Sequence, residues 1–455
     1  MISLLDKTIR TYYWYGLLLY AILFLYWENS MSWYNVLNFF TFVSFAFILW
    51  ISSNKSDEYY TRNRLGITVF VYSFIFVGLY LVMSDYYTGN TFLFSVADAR
   101  TYERYSLAIV NSDMTIQEAI SFLVKHRFDY DDWGAFIFML YPYSIIKSKL
   151  ALNFAYITLG TISSIFLFDI GNRFMLRSYA YLASLSYSIA SYSLFFYGSH
   201  LKETAMLFFV TISFFCFFKY MDSRKSSNML FGIIFSSILF FFRPVIAVLI
   251  WMSIMASYVL GKKNGSKTLI VGFIVIMIIP ISYFVVNDIL MQYTAQGDLL
   301  NSPNYVEDNS SFSIAVSAVG AFLGPIPILL QIKNAFSPSP IYGSGLLLKC
   351  LLLVPFYNGL VYCYKKRNPF LLSLYSFTIA EMVCLAIVKD GLELRKALAH
   401  VPFFILSAFW FLSEYDKDVD EEIYISPYYI STRRWFYLSA IVFFVVVIAW
   451  NTLRY

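Results

Sequence analysis

The amino-acid sequence predicts an all-α fold, that of a polytopic helical membrane protein with about thirteen transmembrane helices. The first observation is composition, because 59% of the 455 residues are hydrophobic and only 13% are charged, whereas soluble domains are about 25% charged. The second is a series of apolar runs that approach the roughly 20 residues needed to cross a bilayer. The third is an uneven distribution of Lys and Arg among the loops. Together these observations exclude a soluble globular protein.

The predicted spans follow from the apolar runs. Two further stretches are ambiguous, because residues 133–147 are short and residues 312–332 carry Gly324, Pro325 and Pro327 near their centre. We expect both stretches to be interfacial or re-entrant on the outer side. The runs predicted to span the membrane are residues 11–27, 32–52, 66–84, 150–170, 178–197, 203–220, 228–242, 245–261, 268–286, 344–364, 369–388, 397–413 and 435–452.

Loop charge orients these spans. With the N-terminus in the cytoplasm, 19 of the 33 Lys and Arg residues fall in roughly 71 cytoplasmic positions and 14 in roughly 145 outer ones. Short cytoplasmic loops retain positive charge, so this orientation is the one we predict. The predicted organisation is an N-terminal hairpin with a third span (1–84), a first outer loop with interfacial helices (85–149), a core bundle (150–286), a second outer loop (287–343) and a C-terminal bundle (344–455).

The loops also narrow the class of protein. The longest cytoplasmic segment, residues 414–434, is too short for a βαβ nucleotide-binding unit of about 30 residues, and the P-loop motif GxxxxGK[ST] is absent. No basic run suggests nucleic acid as a partner. The Phe, Tyr, Ile, Asn and Lys bias is typical of an AT-rich bacterial gene, so we expect the membrane to be a bacterial inner membrane and any chemistry to take place outside it.

The first group of candidate residues lies in two motifs of the first outer loop. In FSVADARTYERYSLAIV, helical spacing would aim Asp98 and Tyr102 along one face of an interfacial helix, although a solvated amphipathic helix explains the same pattern. In RFDYDDWG, the three carboxylates of Asp129, Asp131 and Asp132 could hold Mg²⁺ or Mn²⁺. A solvated turn is the commoner use of such a triplet, so no metal or other cofactor is firmly predicted.

The second group lies in a tight outer turn, SLFFYGSHLKETAMLFF. His200, Lys202 and Glu203 stand there between two spans. A carboxylate beside a Lys and a His could act as a base or order a phosphate-bearing substrate. The alternative is that these side chains only snorkel at a membrane boundary.

The third group is cationic. Arg243 lies in ILFFFRPVIAVL, where an Arg is costly unless it meets an anion. Arg395 and Lys396 lie in KDGLELRKALAHVP, at another outer boundary. Because guanidinium groups match phosphate oxygens, Arg243 and Arg395 could clamp a lipid phosphate or pyrophosphate. Contact with lipid headgroups is the alternative, and Glu381, inside a predicted span, could form a structural salt bridge with one of these cations.

The order of these features resembles the GT-C class of polytopic membrane glycosyltransferases, including Wzy-like polymerases of O-antigen and capsular polysaccharide. The resemblance covers roughly residues 85–245, and a weaker similarity is present in GAFLGPIPILL and ELRKALAHVP. It implies that a sugar or oligosaccharide passes from a polyprenyl-(pyro)phosphate carrier to an acceptor hydroxyl of a glycan or lipid, on the outer face of the membrane. It also implies a GT-C-like fold and a role in surface polysaccharide assembly.

By motif position, the resemblance makes Asp98 the first-loop acid that binds or deprotonates the acceptor and Glu203 the second-loop acid. Arg243 and Arg395 would face the carrier phosphate, and Tyr102, His200, Lys202 and Lys396 would complete substrate binding. The sequence departs from the family in having SHLKE rather than a double acid, and three spans rather than one before the first outer loop. These departures leave the subfamily and metal dependence open.

Two other classes of protein fit the same sequence. A flippase for lipid-linked oligosaccharides, or another transporter, would also present cations to a carrier phosphate. Transporters usually have two related halves with a site near the bilayer midplane, whereas the candidate residues here gather at one outer boundary. An inert scaffold or receptor would tolerate loss of residues 95–105. The sequence does not identify the sugar, and it does not separate transfer of one sugar from polymerisation of blocks.

Overall fold

The computed structural model describes residues 4–26, 32–89, 97–126, 128–261, 319–331, 339–387, 394–420 and 427–453. Within these ranges all regular structure is helical and no strand is formed, which confirms the predicted all-α class. The helices are α1 (Leu4–Tyr26), α2 (Trp33–Ser53), α3 (Arg62–Thr88), α4 (Ala97–Asn111), α5 (Ile116–Lys125), α6 (Trp133–Ile145), α7 (Lys149–Gly171), α8 (Arg177–Ser188), α9 (Ser191–Gly198), α10 (Glu203–Ser223), α11 (Ser226–Ile238), α12 (Pro244–Gly261), α13 (Ser339–Leu351), α14 (Leu353–Lys366), α15 (Pro369–Ile387), α16 (Leu394–Ala397), α17 (Val401–Asp420) and α18 (Pro427–Leu453).

Several of these helices have the length and composition of membrane spans. Among the described residues six helices qualify, and the pair α13 and α14, bent by 44° at Leu352, would make a seventh. The chain therefore has the helices of an integral membrane protein. The qualifying segments are Trp33–Ser53, Arg62–Thr88, Lys149–Gly171, Glu203–Ser223, Pro369–Ala386 and Arg434–Thr452.

The predicted number of about thirteen spans is not confirmed, because the fold breaks some of the apolar runs. Residues 178–197 form two helices, α8 and α9, rather than one span. The run at 228–242 forms the 13-residue α11 and a 3-10 turn at Leu239–Phe241. The predicted span at 268–286 lies outside the described residues. The length of apolar runs alone therefore overestimates the number of membrane spans where a buried apolar run contains a turn inside the bundle.

Local signals in the sequence explain where several helices begin and end. The hydroxyls of Ser32 and Thr61 accept hydrogen bonds from the backbone N–H groups at the starts of α2 and α3. Thr115 and Glu118 form a reciprocal capping box at the start of α5. Gly89 ends α3 with a φ of +61°, a conformation that costs glycine little.

The centre of the bundle is the chain between Tyr179 and Leu207, in which every residue is buried. Apolar side chains elsewhere are exposed, among them Leu25 at 88%, Ile145 at 78% and Leu150 at 73%. Such exposure is expected where the surrounding solvent is lipid. The candidate turn that carries His200, Lys202 and Glu203 thus lies in the core of the protein.

The ambiguous stretch at 312–332 is described from residue 319 onward. After a helical turn at 319–323 the chain is irregular, and Asn side chains of two helices bind its backbone. Asn35 of α2 exchanges hydrogen bonds of 2.8 and 2.7 Å with the C=O and N–H of Gln331. Asn451 of α18 accepts from Leu329 N and donates to Pro327 O, both at 2.9 Å. Backbone groups that lie outside regular helices inside a protein require such partners, and the two asparagines supply them here; the re-entrant or interfacial placement of the stretch stays a prediction.

Replacing Asn35 or Asn451 by Ala is expected to destabilise the protein by about 1–3 kcal/mol, because each change removes two side-chain hydrogen bonds to the irregular backbone of residues 327–331. Thermal unfolding in detergent measures the effect. Asn111→Ala is the matched control, since Asn111 is exposed and accepts only from the exposed Lys147. Equal melting temperatures for all three variants would contradict the assigned role of the two asparagines.

Candidate functional site

Four charged side chains meet where α10 begins. Arg395 donates from Nη1 to Asp98 Oδ2 at 2.5 Å and from Nε to Glu203 Oε1 at 2.6 Å. Arg243 donates from Nη2 to the same Glu203 oxygen at 3.0 Å. We call Asp98, Glu203, Arg243 and Arg395 the charge cluster. Three of its members come from parts of the chain far apart in sequence, and all four were predicted to lie on the outer side.

The local structure explains why these side chains converge. Glu203 is the first residue of α10 and Asp98 lies in the first turn of α4. The N-terminus of a helix carries a partial positive charge and favours a carboxylate there. Arg243 lies between the 3-10 turn at Leu239–Phe241 and Pro244, the first residue of α12, a position that suits Pro. The Arg243 side chain also donates to the carbonyl oxygens of residues 395 and 396, at 3.4 and 3.3 Å.

A glycine allows a close approach beside Arg243. A Cβ atom on Gly134 of α6 would lie 2.6 Å from the Phe242 ring and 2.7 Å from the Phe241 carbonyl oxygen. The neighbouring Trp133 stacks on Phe241 at 6.4 Å. The short helix α6 therefore packs against the turn that carries Arg243.

Burial divides the cluster into an anchor and an accessible acid. The side chain of Glu203 is 0% exposed, whereas that of Asp98 is 46% exposed. In the described part of the chain Glu203 Oε2 has no hydrogen-bond partner. Burial opposes the charge on Arg395, but the neighbouring Glu203 and Asp98 carboxylates outweigh it and raise the pKa of Arg395. Glu203 thus holds the two arginines in position, and Asp98 is the acid that a substrate can reach.

A second polar group lies beside the cluster and centres on Asp132. Its Oδ1 accepts from Tyr102 Oη at 2.7 Å and from Lys202 Nζ at 2.6 Å. Lys202 also donates to the Asp131 carbonyl oxygen at 3.1 Å. As the helical spacing predicts, Asp98 and Tyr102 both face the site from α4. Burial is the main cause that raises the pKa of the Tyr102 hydroxyl, and the neighbouring Asp132 carboxylate raises it further. The hydroxyl therefore keeps its proton and donates a hydrogen bond to Asp132.

The carboxylates proposed as metal ligands are engaged differently. The Lys202 ammonium occupies the place beside Asp132 that a divalent cation would need, and it lies 4.0 Å from Asp131 Oδ2. Among the described residues no group of three or more His, Cys, Asp or Glu side chains is arranged to hold a metal ion. In the described part of the chain, Asp131 and Asp132 are therefore arranged around the Lys202 ammonium and not around a site for Mg²⁺ or Mn²⁺.

The remaining predicted residues contribute in other ways. His200 is buried with Nε2 2.6 Å from Asn153 Oδ1, and burial lowers its pKa to about 3, so it is neutral. Its φ of +57° is uncommon for a non-glycine residue and shapes the turn before Lys202. Lys396 meets the cluster through its carbonyl oxygen. The structure thus joins four predicted residues directly, places Tyr102 and Lys202 next to them, and gives His200 a positioning role.

Lys349 is a buried residue of this region that was not predicted from the sequence. Lys349 is 1% exposed on α13, near Glu381 of α15 and His400, which precedes α17. His400 Nδ1 lies 3.4 Å from Glu381 Oε2, so a histidine, and neither Arg243 nor Arg395, is the basic side chain next to Glu381 in the described structure. A detectable signal was present, because the Lys in GLLLKCLLL interrupts an apolar run.

The arrangement combines an accessible carboxylate with two partly exposed arginines. Such a site can accept a proton from a hydroxyl at Asp98 and stabilise negative charge at the guanidinium groups. No protein-family model, curated protein or solved structure matches this chain. The function of the chain is therefore inferred from the geometry of the site and from the residue pattern.

Proposed function

We propose that the chain is a membrane glycosyltransferase or polysaccharide polymerase. It transfers a sugar or oligosaccharide from a polyprenyl-(pyro)phosphate carrier to an acceptor hydroxyl on the outer face of a bacterial inner membrane, for surface polysaccharide assembly. The observation that supports this most is the continuous chain of hydrogen bonds that joins Asp98, Arg395, Glu203 and Arg243 where α10 begins. The likeness of the residue pattern to GT-C and Wzy-like enzymes is consistent with it.

The proposed reaction needs two tasks from the protein. The acceptor oxygen forms a bond to the anomeric carbon while the bond from that carbon to the carrier phosphate oxygen breaks. The hydroxyl proton passes to Asp98, and the electron pair of the broken bond stays on the phosphate. Arg243 and Arg395, whose side chains are 20% and 26% exposed, stabilise that developing charge.

Asp98 is the better candidate for the base than Glu203. Two arginines share Glu203 Oε1, and a carboxylate held in this way is a weak proton acceptor. Asp98 Oδ2 accepts from Arg395, while nearly half of the Asp98 side chain is exposed. Its partner Arg395 thus holds Asp98 next to the place where the phosphate would bind.

Loss of the chain from its native cell is the first test of this function. A lipid-linked glycan that lacks one residue would indicate a sugar transferase, and accumulation of complete unpolymerised units would indicate a polymerase. An unchanged set of lipid-linked glycans and surface polysaccharide would contradict the proposal. Product formation by the purified chain in nanodiscs, which have no compartments, would separate an enzyme from a flippase.

Arg395→Lys is expected to lower transfer activity by about ten- to a hundredfold, because one ammonium cannot bind Asp98 and Glu203 with the geometry of a guanidinium. The rate is measured with purified protein and native lipid-linked glycan. Arg104→Lys, an exposed change on the same helix as Asp98, is the control and should keep the wild-type rate. Equal rates for the two variants would rule out the bridging role of Arg395.

A further inference from the structure

A cavity of about 480 Å³ lies between the ends of three helices, away from the charge cluster. It is formed where α7 and α10 end and α3 begins, and we call it the basic pocket. Lys219 lies 16 residues after Glu203 on α10, so at 1.5 Å per residue about 24 Å separates the two along the helix axis. The charged and aromatic residues that line the pocket include Arg62, Asp169, Arg173, Phe215, Lys219 and Asp222.

The basic pocket lies at the ends of three candidate membrane spans. Arg62–Thr88, Lys149–Gly171 and Glu203–Ser223 all have the length and apolar composition of spans. Because a hydrocarbon core is about 30 Å thick, α10 as a span places the charge cluster and the basic pocket on opposite faces of the membrane. Ile67, five residues after Arg62 on α3, is 65% exposed, as expected of a side chain that faces lipid. This arrangement puts the pocket at the depth of phospholipid headgroups.

The ion pairs of the basic pocket leave one cation over in the described structure. Arg62 donates from Nε to Asp169 Oδ1 at 2.6 Å, and Arg173 forms an ion pair with Asp222. Among the described residues Lys219 takes part in no ion pair. Two carboxylates thus face three cations, which is a surplus of one positive charge.

An aromatic ring brings two of these cations near each other. The centroid of the Phe215 ring is 5.8 Å from the guanidinium carbon of Arg173 and 5.9 Å from Lys219 Nζ. Arg173 Nε has no hydrogen-bond partner within the described chain. Two cations beside one ring repel each other, and an anion bound between them would offset that repulsion. Guanidinium and ammonium groups are also common ligands of phosphate oxygens.

We propose that the basic pocket binds the phosphodiester of an anionic phospholipid, such as phosphatidylglycerol, in the leaflet opposite the charge cluster. One phosphodiester carries one negative charge, which equals the surplus of positive charge in the pocket. A zwitterionic headgroup would add an ammonium, and the pocket carboxylates of Asp169 and Asp222 are already paired. Basic pockets between membrane helices are suited to anionic headgroups. The inference does not depend on the proposed function.

Competition between lipids in mixed detergent micelles tests this inference. The full chain is equilibrated with equal amounts of phosphatidylglycerol and phosphatidylcholine, and native mass spectrometry counts the lipids that stay bound. Wild type should retain one phosphatidylglycerol, preferred about tenfold over phosphatidylcholine. Lys219→Met should reduce that preference to less than about twofold, because the surplus charge is lost, whereas Lys219→Arg should keep it. Lys225→Met is the matched control and should also keep it, since Lys225 is exposed, lies just after α10 and does not line the pocket.

Two competitors separate the possible sources of the phosphate. Glycerol 3-phosphate tests a water-soluble phosphate ester, and polyprenyl monophosphate tests a carrier lipid. The phosphomonoester of each carries about 1.5 to 2 negative charges, more than the surplus in the pocket. Neither should displace phosphatidylglycerol when added in equal amount, and displacement by either one would overturn the assignment to a phospholipid.

The variants give the remaining outcomes. No preference in wild type, or an unchanged preference in Lys219→Met, would overturn the inference. Equal loss of preference in Lys219→Met and Lys225→Met would assign the attraction to the whole basic face of the protein, and would overturn the pocket as its cause. No residue of the charge cluster is changed in these variants, so none of the outcomes bears on the proposed function.

Thermal unfolding in detergent provides a second readout. A lipid that binds only the folded chain raises its melting temperature. Phosphatidylglycerol should raise that of wild type and of Lys225→Met by about 2–5 °C, and that of Lys219→Met by less than about 1 °C. Lys219 is exposed, so without lipid Lys219→Met should melt like wild type. An equal rise in all three proteins would contradict binding at the basic pocket.

Discussion

Asp98→Asn is expected to lower transfer activity by about 10²- to 10⁴-fold, the usual contribution of a general base. The amide has nearly the shape of the carboxylate but cannot accept the hydroxyl proton. Stability should change little, by less than about 1 kcal/mol, because the Asp98 side chain is nearly half exposed and its ion pair is partly solvated. Initial rates with purified protein and lipid-linked glycan measure the first effect, and thermal unfolding measures the second.

Asp113→Asn is the matched control for this change. Asp113 is exposed at the end of α4, and its φ of +47° is one that Asn tolerates. We expect wild-type rates and stability for this control. Wild-type activity of Asp98→Asn would remove Asp98 from the chemistry, even if the fold is correct.

Glu203→Gln is expected to lower both activity and stability. Glu203 is fully buried and is the shared carboxylate partner of Arg243 and Arg395. Removing its charge leaves two guanidinium groups without that partner, at a cost of about 3 kcal/mol. Chemical unfolding in detergent should report this loss, and the rate should fall because the arginines no longer hold their positions. Glu203→Asp, which keeps the charge on a shorter side chain, should recover part of both.

The contrast between the two acids distinguishes their roles. Glu58→Gln, at an exposed position away from the site, should leave rate and stability unchanged. If Glu203→Gln were as stable as wild type and yet inactive, Glu203 would be acting as a base and not as an anchor. The assignment of Glu203 as the residue that holds Arg243 and Arg395 in position would then be wrong.

The sequence predicted the helical class and the composition of the site better than it predicted the number of spans. Apolar content identifies buried or lipid-facing helices, but it does not distinguish a span from a run that turns in the core, as at α8 and α9. A buried turn and a membrane-spanning helix satisfy the same local preference for apolar residues. The difference is set by packing between distant parts of the chain.

The contacts between particular side chains of the site also could not be predicted from the sequence. Loop charge predicted that Asp98, Glu203, Arg243 and Arg395 lie on one side, yet the contact between Asp98 and Arg395 joins residues 297 positions apart. The helical spacing of Asp98 and Tyr102 was sufficient to place both on one face. The hydrogen bond from Lys202 to Asp132 was not predicted, because a carboxylate 70 positions away becomes its neighbour only after folding; the role of Lys202 as a substrate ligand stays a prediction.

The most direct test of the account asks whether residues 98 and 395 are neighbours on the outer side. Asp98→Cys and Arg395→Cys are combined in a chain whose four native cysteines are replaced, and intact cells are treated with a short bismaleimide. We expect cross-linking of the pair, and its loss after prior treatment with a thiol reagent that does not cross the inner membrane. No cross-link, or protection from that reagent until the inner membrane is permeabilised, would contradict an outward-facing site built from these two residues.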